Sequence, residues 1–231
     1  MNYGFVRTAA VTPKMRVADV EYNVQQIIQK IDECAARGVQ LAVFPELCIS
    51  GYTCADLFFQ STLVNACLNG LKEIVTATKQ SKILSFIGLP LEYNGKLYNV
   101  AAAVSGGKVL AFIPKQNLPN YGEFNEVRYF AQPTADGVIE LNFDSQTAQK
   151  VYFGNHVILQ AENFPEFSVG CEICEDMWSL HAPSAHLAQA GANIIVNLSA
   201  SDEIVGKSNS RILLVNATSS RCVCGYVYAT S

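Results

Sequence analysis

Between Tyr3 and Phe44 the hydrophobic period changes from strand to helix and back to strand, and this alternation limits the folds open to the chain more than any other feature. Tyr3 to Ala10 is an apolar run of strand length. Val17 to Arg37 then carries Val20, Val24, Ile27, Ile28, Ile31 and Ala35 at spacings of three and four, which places them on one face of a helix. Gly38 suits the end of that helix, and Val39 to Phe44 is a short, continuously apolar strand that stops at Pro45 and Glu46. A strand, a helix and a second strand in that order form the opening unit of an α/β layered fold.

The rest of the chain extends the pattern. A second helix is expected over about 55–78. Three strand-like runs follow, ILSFIGLPL, KLYNVAAAVS and KVLAFIP, with YNG and SGG as the turns between them. Strands joined by hairpins imply a mixed sheet. Residues 131–162 are polar and turn-rich. EFSVGCEI reads as another strand, PSAHLAQAG as a helix, NIIVNLSA as a further strand, Asn209 to Ala217 as helical, and CVCGYVYA as a last apolar run. With 50% hydrophobic and 16% charged residues among 231, residues 1–231 can bury a large core as one domain without disulfides or metal, and the eight cysteines read as free thiols. No apolar stretch approaches the roughly 18–20 residues that span a bilayer, and the N-terminus has no secretory pattern, so a cytoplasmic protein is expected. A net charge of −4 without a Lys/Arg cluster argues against nucleic acid or an anionic membrane as partner.

Three polar residues stand where apolar strands stop: Glu46 after VQLAVFP, Lys115 after KVLAFIP and Cys174 after SVGCEI. Strand ends are where ligand sites gather in α/β sheets. Taken singly, a strand-end Glu or Lys is more often a turn cap or a solvated charge, and a lone Cys an inert buried thiol. Together they make a workable set, in which a carboxylate takes the thiol proton, an ammonium stabilises thiolate and oxyanion, and the sulfur attacks a carbonyl. His156, His181 and His186 are not placed as partners for such a thiol. Cys171 with Cys174 and Cys222 with Cys224 raise a zinc site, but Cys171 and Cys174, three apart on a strand, face opposite ways, so no metal is expected. VSGGKVL lacks the Asp and Ser that follow SGG in the pyrophosphate loop of ATP pyrophosphatases and reads as a hairpin turn.

The strings FPELCISGYTCADLF, FIPKQNLPNYGEFNEVRYF and VGCEICEDMW, taken in order over nearly the whole chain, resemble the nitrilase superfamily of carbon-nitrogen hydrolases. GYTCADLF, KQNLPNYGEFNEVRYF and EICEDMW followed by NLSAS are most similar to its branch of glutaminase domains from glutamine-dependent NAD synthetases. The resemblance implies an α-β-β-α sandwich of two mixed sheets with outer helices. It implies Glu46 as general base, Lys115 as stabiliser of the tetrahedral intermediate together with the N–H after Cys174, and Cys174 as the nucleophile, its pKa lowered by Lys115. Glu126 becomes a second carboxylate near the lysine, and Tyr121, Trp178 and Ser201 become lining of a glutamine pocket. Glutamine is the implied substrate and an ammonia-accepting synthetase domain the implied partner. ATP and magnesium are expected only for that domain, which these residues do not contain, and the hydrolase domain is expected to be incomplete at its C-terminal side. Pairing through helices implies a homo-oligomer. A free-standing amidase or nitrilase acting on another small amide is the alternative, and an inactive interaction module is disfavoured by the presence of all three reacting residue types.

Overall fold

The computed structural model describes residues 4–143 and 148–231. Tyr3, the start of the first apolar run, and residues 144–147 of the polar stretch lie outside the described residues. After β1 (Thr8–Ala10), helix α1 (Val20–Ala36) begins at Asp19, whose carboxylate accepts the Tyr22 N–H as an N-cap, and buries Val24, Ile27, Ile31 and Cys34. β2 (Leu41–Val43) follows, buried throughout. The helix expected over 55–78 is divided. Ala55–Phe59 is a single 3₁₀ turn, Gln60 is extended, and α2 runs Ser61–Ala77. The break lets Phe58 turn inward, where its ring centroid lies 5.0 Å from that of Phe130 and 5.7 Å from that of Tyr129.

β3 (Leu84–Tyr93), β4 (Lys96–Ser105) and β5 (Lys108–Pro114) form the anticipated meander. The register slips between Ala103 and Val104, so Leu110 is the extra residue of a bulge, and Ala111 and Ile113 are returned to the inner face. The polar stretch 131–162 requires correction, since it holds three strands, β6 (Gly137–Asn142), β7 (Ala148–Phe153) and β8 (Leu159–Ala161). β6 is an edge strand with alternating exposure, so its sequence carries too little apolar signal to be read as a strand. β9 (Phe164–Ile173), α3 (Pro183–Gln189) and β10 (Ile194–Ser199) follow. The last helix is longer than expected: α4 spans Lys207–Cys222, bounded by left-handed Gly206 and Val223, and leaves β11 (Gly225–Thr230) as the final strand.

One sheet has the order β1-β2-β3-β4-β5-β7-β6 and the other β11-β10-β9-β8; both mix parallel and antiparallel pairs. Period-two alternation decides what each face buries. Leu84, Phe86, Ala101, Ala103, Ala111 and Ile113 of the first sheet meet Phe167, Val169, Ile173, Val196, Leu198 and Ala229 of the second. Ile87, Leu89, Val100 and Phe112 point the other way, under α1 and α2. Ile195 and Cys224 pack with Leu187 of α3. The layers are therefore helix, sheet, sheet, helix. Among the described residues no helix is long and apolar enough to cross a membrane.

Candidate active site

Glu46, Lys115 and Cys174 converge at one end of the sandwich, where strands of both sheets stop. Lys115 follows β5 directly and is 1% exposed, with its N–H on the Asn99 carbonyl of β4 at 2.9 Å. Its Nζ donates to Glu46 Oε1 and to Glu126 Oε1, both at 2.6 Å. Glu46 is fully buried and is also tied to the second sheet: its Oε2 accepts the Ala200 N–H at 3.0 Å, and its own N–H reaches the Ser199 carbonyl at 3.3 Å. Burial alone would pull the Lys115 ammonium down, but Glu46, Cys174 and Glu126 together hold it well above the ordinary lysine value. Burial followed by repulsion from Glu46 pushes Glu126 up against the opposing pull of Lys115.

Cys174 closes β9 and opens a 3₁₀ turn, Cys174–Trp178, with φ of 44°. Left-handed backbone is costly for a residue with a Cβ and persists only where its surroundings impose it. Here Asn197 Oδ1 of β10 accepts the Cys174 N–H at 3.1 Å, and Asp176 Oδ2 accepts the Ile173 N–H at 3.0 Å. A helical turn leaves its first N–H groups without internal partners. Two of them are taken in this way, and among the described residues the Glu175 N–H has no such partner. It is the donor available to an oxyanion on the sulfur's carbonyl target.

Two expectations about the thiols are corrected. Cys171 and Cys174 do not face opposite ways, because the positive φ takes Cys174 out of the strand alternation, and both pack between the sheets. Cys224 instead packs beneath α3, so the two cysteine pairs sit in different clusters. Nor does Lys115 leave Cys174 with a depressed pKa. Burial first, then Glu46, push the thiol up to about 12; Lys115 and a hydrogen bond with Ser199 only moderate the rise. The surroundings thus favour the thiol over the thiolate.

The residues named for the pocket separate into two groups. Glu126, 3% exposed, belongs to the buried charge cluster and also lines a cavity of about 210 Å³ with Leu47, Tyr52 and Phe130. Ser201 is buried and lines a cavity of about 420 Å³ with Gly51, Tyr52, Phe124 and Ala200. Tyr121 and Trp178, 58% and 38% exposed, do not line it; the Tyr121 ring centroid lies 5.9 Å from that of Phe124, and its hydroxyl donates to the Glu175 carboxylate at 2.9 Å. Lys207, at the start of α4 and paired with Asp202, lies 5.9 Å from the Trp178 ring centroid and 5.6 Å from that of Phe124. The sequence reading missed Asn99, whose Nδ2 donates to Glu46 Oε1 at 2.7 Å and Glu126 Oε2 at 3.4 Å. It missed Tyr52, which donates to Glu126 Oε1 at 2.7 Å, and also Asp176, Glu175 and Lys207. A lone amide inside the apolar run NVAAAV was the one usable signal, for Asn99; the others look like ordinary loop polarity.

Residues 7–230 match the family model described as carbon-nitrogen hydrolase. The chain is 36% identical over all 231 residues to a glutamine-dependent NAD(+) synthetase from Mycobacterium tuberculosis, covering 33% of that protein, and 32% identical over 91% of its length to one from Aquifex aeolicus. It thus spans about a third of the length of these curated relatives. A crystal structure of a glutamine-dependent NAD(+) synthetase from Cytophaga hutchinsonii superposes with a TM-score of 0.84 at 32% identity, over 97% of this chain and 36% of that one. An amidase of the nitrilase superfamily from Nesterenkonia superposes with a TM-score of 0.74 at 19% identity, over 97% of this chain and 76% of that one. The latter is a likeness of fold, and it agrees with the sandwich expected from the sequence.

Proposed function

Because this chain belongs to the carbon-nitrogen hydrolase family, we propose that it hydrolyses the side-chain amide of glutamine through a Cys174 thioester and delivers the ammonia to an ATP-dependent synthetase domain that amidates deamido-NAD. The observation that carries this reading is the buried Lys115 ammonium, held at 2.6 Å from both Glu46 and Glu126 at the end of the sandwich that also presents Cys174. Glu46 takes the thiol proton as the sulfur attacks the amide carbonyl. Lys115 and the Glu175 N–H receive the oxyanion. Collapse breaks the C–N bond, and Glu46 passes the proton to the departing ammonia. Water then attacks the thioester with Glu46 as base again, releasing glutamate and restoring the thiol.

The charged side chains near Tyr121 and Trp178 support an amino-acid substrate over a plain amide. Glu175 offers a carboxylate for an α-ammonium and Lys207 an ammonium for an α-carboxylate, with Tyr121 and Trp178 beside them. Ser201 lines a cavity with Tyr52, Phe124 and Ala200. These steps need no metal or organic cofactor; ATP and magnesium belong to the synthetase reaction. Cytoplasmic residence and a homo-oligomer joined through outer helices are part of the same proposal. The test is to treat the protein with a glutamine-mimicking diazoketone, locate the adduct by mass spectrometry, and compare ammonia release from glutamine and from acetamide. An adduct on Cys174 with glutamine strongly preferred is expected. Preference for acetamide would favour the free-standing amidase, and an adduct elsewhere would overturn the assignment of the nucleophile.

A further inference from the structure

Asp176 is 1% exposed and lies two residues beyond Cys174, yet most of its hydrogen bonds leave its own turn. Its Oδ2 accepts the Ile173 N–H at 3.0 Å, immediately before the nucleophile. Its Oδ1 accepts the Gln116 N–H at 3.1 Å, the Asn117 N–H at 2.8 Å and the Asn117 side-chain amide at 2.9 Å, immediately after Lys115. Ile173 ends β9 of one sheet and Lys115 follows β5 of the other. A single carboxylate therefore ties together the two strand ends that carry the thiol and the ammonium. Capping the 3₁₀ turn would need only the Ile173 bond; the three bonds to Gln116 and Asn117 do nothing for that turn. A buried carboxylate is costly unless fully hydrogen-bonded, and here the bonds are spent on register between the sheets at the reacting groups.

We propose that Asp176 is a positioning residue that fixes Lys115 relative to Cys174, so that the ammonium acts on the sulfur and on the oxyanion formed from it. This rests on the reading of Cys174 as nucleophile given above. Asn197 holds the Cys174 backbone from within its own sheet, whereas Asp176 reaches across to the two residues that follow the lysine. A misplacement of about 1 Å between reacting groups typically costs about 10²-fold in rate, and that loss falls on the chemical step rather than on binding.

The test uses Asp176→Asn, which keeps the size but turns an –NH₂ toward N–H groups, and Asn117→Ala, which removes one donor and leaves the carboxylate. Two readouts are taken in each protein: kcat and KM for glutamine, and the pH dependence of Cys174 alkylation by a small neutral haloacetamide. We expect Asp176→Asn to lower kcat about 10- to 100-fold with KM changed less than about threefold. We expect its alkylation profile to move to higher pH, because the thiol loses the lowering influence of Lys115. That direction is diagnostic. Deleting a nearby negative charge, or loosening the site so that water enters, moves a buried thiol the other way. An unchanged or downward profile overturns the proposal. If Asp176→Asn does not fold, Asn117→Ala is expected to show the same upward movement at smaller size, and an unchanged profile there overturns it equally. A parent protein that releases no ammonia from glutamine would count against the glutaminase reading, while the alkylation comparison would still decide the role of Asp176.

Discussion

At the scale of the residue, the site is a buried charge cluster in which a single ammonium holds two carboxylates. Cys174→Ala is expected to abolish ammonia release, whereas Cys171→Ala, which removes a thiol locked in the inter-sheet core, keeps most of it. Comparable rates for the Cys174→Ala protein and the parent would remove Cys174 from the mechanism. Glu46→Gln preserves volume but not basicity, and is expected to lower kcat by about 10²- to 10⁴-fold in a steady-state assay. Lys115→Met leaves Glu46 and Glu126 without their counter-charge, and breaking a buried pair in this way typically costs about 3–5 kcal/mol, readable as a lower urea midpoint. The same variant should move Cys174 alkylation to still higher pH, since Lys115 is what opposes the upward push of burial and Glu46. An unchanged alkylation profile would place Lys115 away from the thiol. Glu46, Lys115 and Cys174, the residues proposed to react, stood out in the sequence because each interrupts the end of an apolar run. Asn99, Tyr52 and Asp176 were not, because their importance lies in partners 27 to 74 positions away in sequence.

At the scale of the element, β3 shows why the turn after β2 has its shape. Gly88 lies against that turn, and a Cβ there would stand 2.3 Å from the Leu47 nitrogen, 2.7 Å from the Pro45 oxygen and 2.9 Å from the Glu46 carbonyl carbon. These are backbone atoms, so the turn itself would have to move. Gly88→Ala is therefore expected to destabilise the fold by about 1–3 kcal/mol and to lower kcat more than it raises KM, because Glu46 is displaced. Denaturant unfolding and glutamine kinetics check this against Gly225→Ala, where the backbone is not left-handed and the added methyl meets only ordinary contacts, the nearest at 3.7 Å. Equal behaviour of the two variants would show that the turn yields freely. The meander β3–β5 was readable from its apolar runs and glycine turns. The edge strand β6, the two-residue pairing of β7 with β5, and the full length of the outer helix α4 with exposed Ile212 and Leu213 were hidden, because little of their surface is buried.

At the scale of the whole molecule, the two sheets share the candidate site, with Glu46, Asn99 and Lys115 from one and Cys174, Asn197 and Ala200 from the other. Opening the sandwich at that end should disable the site before the cores are lost. The 231 residues contain no Walker A string and no SGG-x-DS string to cradle a nucleotide's phosphates. Incubated with glutamine, ATP, magnesium and deamido-NAD, the chain is expected to yield ammonia and glutamate without AMP or NAD. Glutamine-dependent AMP formation would overturn that division of labour.

The sequence by itself determined the layered α/β class, the order of most elements and the three strand-end residues proposed to react, since periodicity and strand-end polarity are local properties of a chain. Tertiary structure alone decided the protonation and geometry of the site. The packing of Cys174 and Glu46 together in a dry interior raises the thiol instead of lowering it, a left-handed Cys174 leaves the strand alternation, and Asp176 bonds across two sheets. Each depends on which groups meet in a low-dielectric space, where unpaired charges are costly and every donor must find an acceptor.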